Sequence, residues 1–421
     1  MERRNVTLKL IVLSDKMLGG VSAYSQQTYE LCTRFVTLGH KVAHIPMNRA
    51  NRMGKMVEKG VLIFDSSSID PMGEDVAVDY YLQFKADMLI TNKEPWNFSW
   101  IYKQAINFVP MAIIDHSPVS TLITDKLRTA FRVIAISRHA QRELMKSNIE
   151  SVYIPNAVRT DLFKPLDKAK CKKMWYLEPD DFVIGIVAMN RARKMIPRML
   201  RGYKRFLELN PDVKAHLFLW TNVFPSARPA DELTTGVADV GVNLVSEIYQ
   251  LGLGEPPNDV RWVKWDEIAR MGGIPIRDES GGWDMASLYN AFDVNLLCSG
   301  GEGCGYPYLE AAACGVGSIG TDYAAAPEYI GPGLLVKAKD YVIINTPGTR
   351  YYLADIDEMA EALTKFYNAD REKIAVKARE HAERYSYERV IEKSWKPFFE
   401  QCEPELFPRL TKGTLGRWNN G

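Results

Sequence analysis

Long hydrophobic runs are missing from this chain. No stretch approaches the ~18 consecutive apolar residues that a membrane-spanning helix needs, so no such helix is expected. A charge excess of either sign is missing too: Lys+Arg is 53 against Asp+Glu 52, and charge alone therefore selects no partner. Cysteine is sparse, six residues without a CxxC pair, which indicates neither a zinc site nor a disulfide framework. Cys298, Cys304 and Cys314 lie close together in sequence; buried free thiols in a reducing compartment are the simpler reading than a metal cluster. There is no DxD pair accompanied by a metal-ligand constellation, and no GxGxxG, so neither a metal nor a dinucleotide is implied. Internal repeats and low-complexity tracts are absent. The opening residues, Met1-Glu2-Arg3-Arg4, lead into a short strand-like run with no small-residue cleavage site behind it. They read as the start of a soluble, cytoplasmic chain and not as a signal peptide.

What is present is an α/β pattern, repeated twice. At 421 residues the chain is long enough for two domains, each with its own core. Leu8-Lys9-Leu10-Ile11-Val12-Leu13 is a strand, followed by Gly19-Gly20, an amphipathic helix through Phe35, and a strand at Lys41-Val42-Ala43-His44-Ile45. Further strands are predicted at 61–64, 88–90, 110–114 and 132–137. The strand 110–114 ends in Asp115-His116, and a histidine just past a parallel strand lies on the rim where such sheets bind ligands; taken alone it reads as a structural rim residue or as a ligand contact. The segment 125–159 has an excess of basic residues. It reads either as an ordinary solvated face or as a contact with anionic lipid or nucleic acid. Residues 165–179 are polar and Lys-rich and read as an interdomain connection. A second series of strands begins at Phe182-Val183-Ile184-Gly185-Ile186-Val187, with the cations Arg191, Arg193 and Lys194 directly after it. Cations beyond a strand and ahead of a helix suit a diphosphate; a plain basic loop is the alternative.

The second half turns on residues 302–315, EGCGYPYLEAAACG. A glycine-rich loop leads to Pro307, placed for the first helical position, and to Gly315 as the C-terminal stop. Strands flank it, at Asp293-Val294-Asn295-Leu296-Leu297 and Ser318-Ile319-Gly320-Thr321. Strand, glycine loop, helix, strand is how an α/β sheet offers an anion site at a helix N-terminus. Backbone N–H groups of Gly303, Cys304, Gly305 and Tyr306 would face the anion. Glu302 and Glu310, seven residues between them, frame the loop. They read either as acceptors for the hydroxyls of a polyol phosphate or as two solvated glutamates.

The Glu302-x7-Glu310 spacing, with Gly303, Gly305 and Pro307 inside it and Ala311 to Gly315 behind, resembles the donor-site signature of glycosyltransferase family 4. The resemblance implies the GT-B fold, two doubly wound Rossmann-like domains facing an interdomain cleft. It implies a first, acceptor-side domain over 1–170 and a nucleotide-sugar domain over 171–389. A C-terminal helix, about 390–421, would cross back onto the first domain. The implied activity is retaining transfer of a hexose from a UDP- or GDP-sugar, with no metal or other cofactor. The acceptor would be a saccharide, a lipid carrier, a small molecule or a modified nucleic acid, with peripheral membrane contact as one option. By the same resemblance Glu302 binds donor-sugar hydroxyls, Glu310 the ribose, and Arg193 and Lys194 the leaving diphosphate, with Arg191 a substitute. His116 lies over the sugar, Gly19 and Gly20 bring backbone near the donor phosphate and acceptor, and Glu328 belongs to the donor site.

The chain departs from the family's pattern at several places: Met195 follows Lys194 where glycine is usual, Cys304 stands for a common phenylalanine, Gly317 for a proline, and Ala157 for a glycine. The alternatives to transfer are a GT-B nucleotide-sugar epimerase or hydrolase, and a non-catalytic sugar-nucleotide binder.

Overall fold

A computed structural model describes residues 7–17, 22–48, 54–224, 239–254, 259–262, 284–344 and 348–406. The chain divides into two compact units. The first comprises Met1–Ile114, Val119–Pro155 and Glu388–Gly421; the second comprises Asp115–Pro118 and Asn156–Tyr387. Among the described residues no helix is long and apolar enough to cross a membrane.

The first unit is built on an eight-stranded sheet. Its strands are β1 (Lys9–Ser14), β2 (Lys41–Pro46), β3 (Met56–Glu58), β4 (Val61–Ile63), β5 (Met88–Asn92), β6 (Phe108–Ala112), β7 (Ile134–Ala135) and β8 (Val152–Tyr153). The order is β3-β4-β2-β1-β5-β6-β7-β8, parallel except for the edge strand β3. β5 and β6 are buried at every position, because helices cover both faces of a parallel sheet and leave no face for polar residues. From β1 the chain winds outward first through β2 and then through β5. That reversal is a switch point, and the strands' carboxyl ends beside it form the usual ligand crevice. Asp15 and Lys93 pair there at 3.1 Å. Gly19 and Gly20 fall outside the described residues.

Glu388 brings the chain back to the first unit. Trp395 and Phe399 pack edge-on against Phe35 of the helix Ala23–Thr37, with ring centroids 4.9 and 5.1 Å away, and Arg34 pairs with Glu388 at 3.0 Å. Burying rings of this size stabilises each contact by about 1.5–3 kcal/mol.

The second unit repeats the plan with β9 (Phe182–Val187), β10 (Ala215–Trp220), β11 (Val260–Trp262), β12 (Val294–Leu297), β13 (Ser318–Thr321) and β14 (Leu334–Val336). Their order is β11-β10-β9-β12-β13-β14, all parallel, so the switch point lies between β9 and β12. The apolar face of helix Ile196–Leu209, through Met199, Tyr203 and Phe206, shares a core with Ile184, Leu217 and Leu296. Helix Ile356–Tyr367 adds Met359, Leu363 and Phe366 to it. An antiparallel hairpin, β15 (Ala338–Ile343) and β16 (Arg350–Ala354), lies outside this sheet and was not anticipated from the sequence.

The Lys-rich segment read as a connection is instead a docked part of the second unit. Asp167 caps the helix Lys168–Met174, and Trp175 donates its ring N–H to Ser287 at 3.1 Å. Lys172 is buried, with its ammonium 2.9 Å from the Asp293 carboxylate and 2.6 Å from the Asp181 carbonyl oxygen. The polar composition was misleading because one of these lysines spends its charge indoors. The first unit accordingly ends at Pro155, well before residue 170. Removing one member of a buried pair strands the other. Lys172→Ala is therefore expected to lower the unfolding free energy by about 2–4 kcal/mol in urea, with Lys168, 3.3 Å from Asp293, limiting the loss. A loss under ~0.5 kcal/mol would mean that Asp293 is satisfied without Lys172.

Candidate functional site

Two loops leave the sheet side by side at the second unit's switch point. Residues 188–195 follow β9, and residues 298–305 follow β12. The first ends in Arg193 and Lys194, followed by Met195 with φ of 53°. That is left-handed backbone, which a β-carbon disfavours by about 1–2 kcal/mol and glycine adopts freely. The departure from glycine after Lys194 thus coincides with a conformation that glycine suits better. Met195 and Pro197 then open helix Ile196–Leu209.

In the second loop Gly305, at φ of 72°, caps helix Tyr306–Ala313, with Pro307 one position later than anticipated. Gly315, at φ of 78°, stops it. Tyr308, buried beneath, donates its hydroxyl to the Leu297 carbonyl oxygen at 2.6 Å and ties the helix to the end of β12.

Close approach holds the two loops together. The Gly300 N–H donates to the Arg193 carbonyl at 2.9 Å, and the Gly300 carbonyl accepts from the Tyr352 N–H of β16 at 2.8 Å. At Gly301 a β-carbon would stand 2.0 Å from the Asp115 carbonyl oxygen. The excursion Asp115–Pro118 is therefore seated directly on this loop, and the Ser117 N–H donates to the Tyr323 hydroxyl at 2.6 Å.

The charges pair across these loops. Lys194 Nζ lies 2.5 Å from Glu302 Oε1. Glu302 is buried and Lys194 partly so. Burial lowers the Lys194 ammonium below the ordinary lysine range; Glu302 acts against that and Arg193 adds to it. Arg193 donates Nε to Asp239 Oδ2 at 3.1 Å, and its backbone N–H to Oδ1 of the same carboxylate at 3.0 Å. Its Nη1 lies 3.8 Å from Asp115 Oδ2. Burial would depress the guanidinium, but Glu302, Asp115 and Asp239 together raise it, so it stays charged at every accessible pH. Asp115 Oδ1 lies 2.8 Å from His116 Nδ1, and His116 is buried.

Arg191 reaches the backbone of the same aspartate that pairs with Arg193. It donates Nη1 to the Asp239 carbonyl oxygen at 3.2 Å and lines a cavity of about 260 Å³ with Met195, Arg198 and Val242. Glu310 sits on the helix with its Oε2 accepting from the Tyr289 hydroxyl at 2.6 Å. Burial pushes this carboxyl up to about 7, against the lowering effect of the Tyr289 bond. Cys304 is buried; burial raises its thiol far above the ordinary value, and the carboxylates of Glu328, Glu302 and Glu310 add to that. Three of the anticipated carboxylates, from the loop, its helix and the segment after β13, thus act on one thiol. The Ala325 N–H donates to the Glu302 carbonyl at 3.1 Å and joins the loop after β13, which carries Glu328, to the same site.

Four contributors were not picked out from the sequence. Asp115 was quoted only as the neighbour of His116. Asp239 lies in a stretch rich in proline, glycine and acids, with no local signal. Tyr351, buried on β16, approaches within 2.8 Å of where a β-carbon on Gly300 would lie. Asn190 holds the segment of Asp239 in place, with Nδ2 donating to the Val242 carbonyl at 2.7 Å and Oδ1 accepting its N–H at 3.2 Å.

Two expectations follow from this geometry. Gly301→Ala forces the Asp115 carbonyl to move, and should lower the unfolding free energy by about 1–3 kcal/mol, as other overpacked sites do; an unchanged urea midpoint would show that the loop yields freely. Glu310, raised from 4.5 to about 7, binds its proton more tightly in the folded state. That contribution to stability is full below the unfolded value and is lost as pH rises through about 7. The stability of Glu310→Gln relative to the parent should therefore increase by about 2 kcal/mol between roughly pH 5 and 8. A difference that stays flat with pH would place the Glu310 carboxyl in the ordinary range.

Comparison with known proteins agrees with this architecture. Residues 252–368 match the family model described as glycosyl transferases group 1. The chain is similar to the D-inositol 3-phosphate glycosyltransferase of Actinosynnema mirum, 27% identical over 245 residues. That alignment takes in 57% of this chain and 49% of the relative, so the chain spans about half the length of the curated relative it matches. Among solved structures, sucrose-phosphate synthase from Thermosynechococcus elongatus superposes with a TM-score of 0.69 at 15% identity, over 95% of this chain and 100% of that one. HepE from Anabaena, in complex with UDP and glucose, gives 0.62 at 16% identity, over 93% of this chain and 100% of its own. These likenesses show the fold, which is GT-B, with two Rossmann-like units.

Proposed function

We propose that this chain is a glycosyltransferase that moves a hexose from a nucleoside diphosphate sugar to an acceptor with retention at the anomeric carbon. The observation that carries the reading is the Lys194–Glu302 pair with Arg193 beside it, placed where the strand order reverses in the second unit. Glu302 and Glu310 both lie inside the segment that matches glycosyl transferases group 1. Support also comes from HepE, which shares the fold and is described in complex with UDP and glucose.

In this reading the donor diphosphate lies at the N-terminus of helix Tyr306–Ala313, where backbone N–H groups and the helix dipole favour an anion. Arg193 and Lys194 draw off the charge that grows on the leaving phosphate, which is electrostatic catalysis by groups already in place. Lys194 must then share its ammonium between Glu302 and phosphate. Glu302 accepts from sugar hydroxyls and Glu310 from the ribose. His116 and Glu328 belong to the sugar side of the same site. Two fixed cations do the neutralising work of a metal, so activity should survive EDTA. A covalent route with retention would need a carboxylate nucleophile at the anomeric carbon. Glu302 is engaged with Lys194 and Asp115 with His116, which favours same-face displacement guided by the leaving phosphate. The donor chemistry is common to saccharide, lipid-carrier, small-molecule and nucleic-acid acceptors.

The test begins with a thermal-shift screen of UDP- and GDP-sugars, since a ligand of the native state raises stability in proportion to ln(1 + [L]/Kd). Acceptors are then assayed with the donor that binds. Arg193→Ala and Lys194→Ala should each lower kcat by ~10–1000-fold, the scale for loss of one electrostatic stabiliser. Full turnover in both variants, an inverted product, or no response to any nucleotide sugar would reject the assignment.

A further inference from the structure

We infer that Asp115 is a positioning residue that sets the tautomer and direction of the His116 ring, and that it does so from a seat prepared by Gly301. The inference deepens the glycosyltransferase reading and rests on it for the statement that His116 meets the sugar.

Asp115 Oδ1 is 2.8 Å from His116 Nδ1. Burial works to raise the Asp115 carboxyl, but the hydrogen bond and the charge of His116, and then the charges of Arg193 and Lys194, outweigh it and hold the group below the ordinary aspartate range. An ionised carboxylate can only accept, so His116 must carry its proton on Nδ1. A neutral ring then presents its lone pair at Nε2. In that neutral form Nε2 is an acceptor, suited to a hydroxyl group and unsuited to a carbonyl or phosphate oxygen. For a polyhydroxylated sugar, that is the useful polarity.

The seat is built from backbone. The Asp115 carbonyl lies where a β-carbon of residue 301 would be, 2.0 Å from its position. The next residue but one, Ser117, is held through its N–H by the Tyr323 hydroxyl at 2.6 Å. The Asp115 carbonyl thus lies close against residue 301 and the chain is fastened two residues on, with His116 between these two points. Arg193 does not depend on Asp115 in the same way. Its close partner is Asp239, at 3.0 and 3.1 Å, with Asp115 at 3.8 Å. The two aspartates divide the labour: Asp239 places the phosphate-side cation, and Asp115 places the sugar-side histidine.

The experiment is NMR of the full chain labelled with ¹⁵N-histidine, with His116→Gln used to assign the His116 ring among the six histidines. Long-range ¹H–¹⁵N couplings distinguish the two tautomers. The wild-type ring should be the Nδ1–H form, and Asp115→Asn should shift it toward the other form. An Nε2–H ring in the wild-type chain overturns the inference outright, without recourse to any variant and whatever the enzyme's activity. Kinetics with the donor found by screening supply the second readout. Asp115→Asn should reduce kcat by ~10–100-fold, within the usual contribution of a positioned polar group, while the Kd for UDP or GDP changes less than ~3-fold. In a His116→Ala background the same substitution should cost less than ~3-fold, because a residue acting through another loses its effect when that other is gone. Equal losses in both backgrounds, or a loss in nucleotide affinity alone, would overturn it. Absence of any sugar transfer would reject the functional reading and leave the tautomer result to stand or fall independently.

Discussion

Two cations placed side by side after one strand constrain everything at this edge of the second unit. Arg193 and Lys194 are only partly exposed to water, and each needs a carboxylate within reach. Glu302 answers Lys194 from the neighbouring loop; Asp239 and Asp115 answer Arg193. The backbone follows from this pairing. The loops can approach closely enough only because residues 300 and 301 lack side chains, which leaves room for Tyr351 and for the Asp115 carbonyl. A pair of this kind adds little to net stability, since desolvation offsets much of the attraction. Its value lies in geometry: the charges are preorganised before any ligand arrives.

The same economy appears at Glu310. A carboxyl raised to about 7 is costly to ionise in the folded chain, and the Tyr289 hydroxyl offsets only part of that cost. In the proposed donor site the hydroxyls of a diol would supply the missing donors. Burying it beforehand trades stability for affinity, a common arrangement at functional sites. Cys304 fits the same frame. A small buried thiol among three carboxylates adds no charge to a crowded loop.

The GT-B fold ties these local features to one place. With β9 flanked by β10 on one side and β12 on the other, the connections leave in opposite directions and the carboxyl ends of β9 and β12 stay uncovered. The cations after β9 and the glycine loop after β12 therefore meet without any long connection. The first unit follows the same plan at β1 and β5, where Asp15 and Lys93 meet.

Much of this was legible in the chain by itself. β2 at Lys41–Pro46, β9 at Phe182–Val187 and β13 at Ser318–Thr321 fall where the residue pattern places them, because period and turn residues act over a few positions. The glycine loop, its helix and the two glutamates were also readable, since all sit within one short stretch. The partners were not. Lys194 and Glu302 are 108 residues apart, and Arg193 and Asp239 are 46 apart. No local pattern couples such distances; only the strand order brings them together. The Lys-rich helix shows the same limit from the other side. Its composition signals solvent, yet Lys172 is buried against Asp293, a partner 121 residues away. Sequence determined which elements form and which side chains have the chemistry. Tertiary structure decided which charges neutralise which, because an ion pair depends on distance in space and the chain encodes only distance along itself.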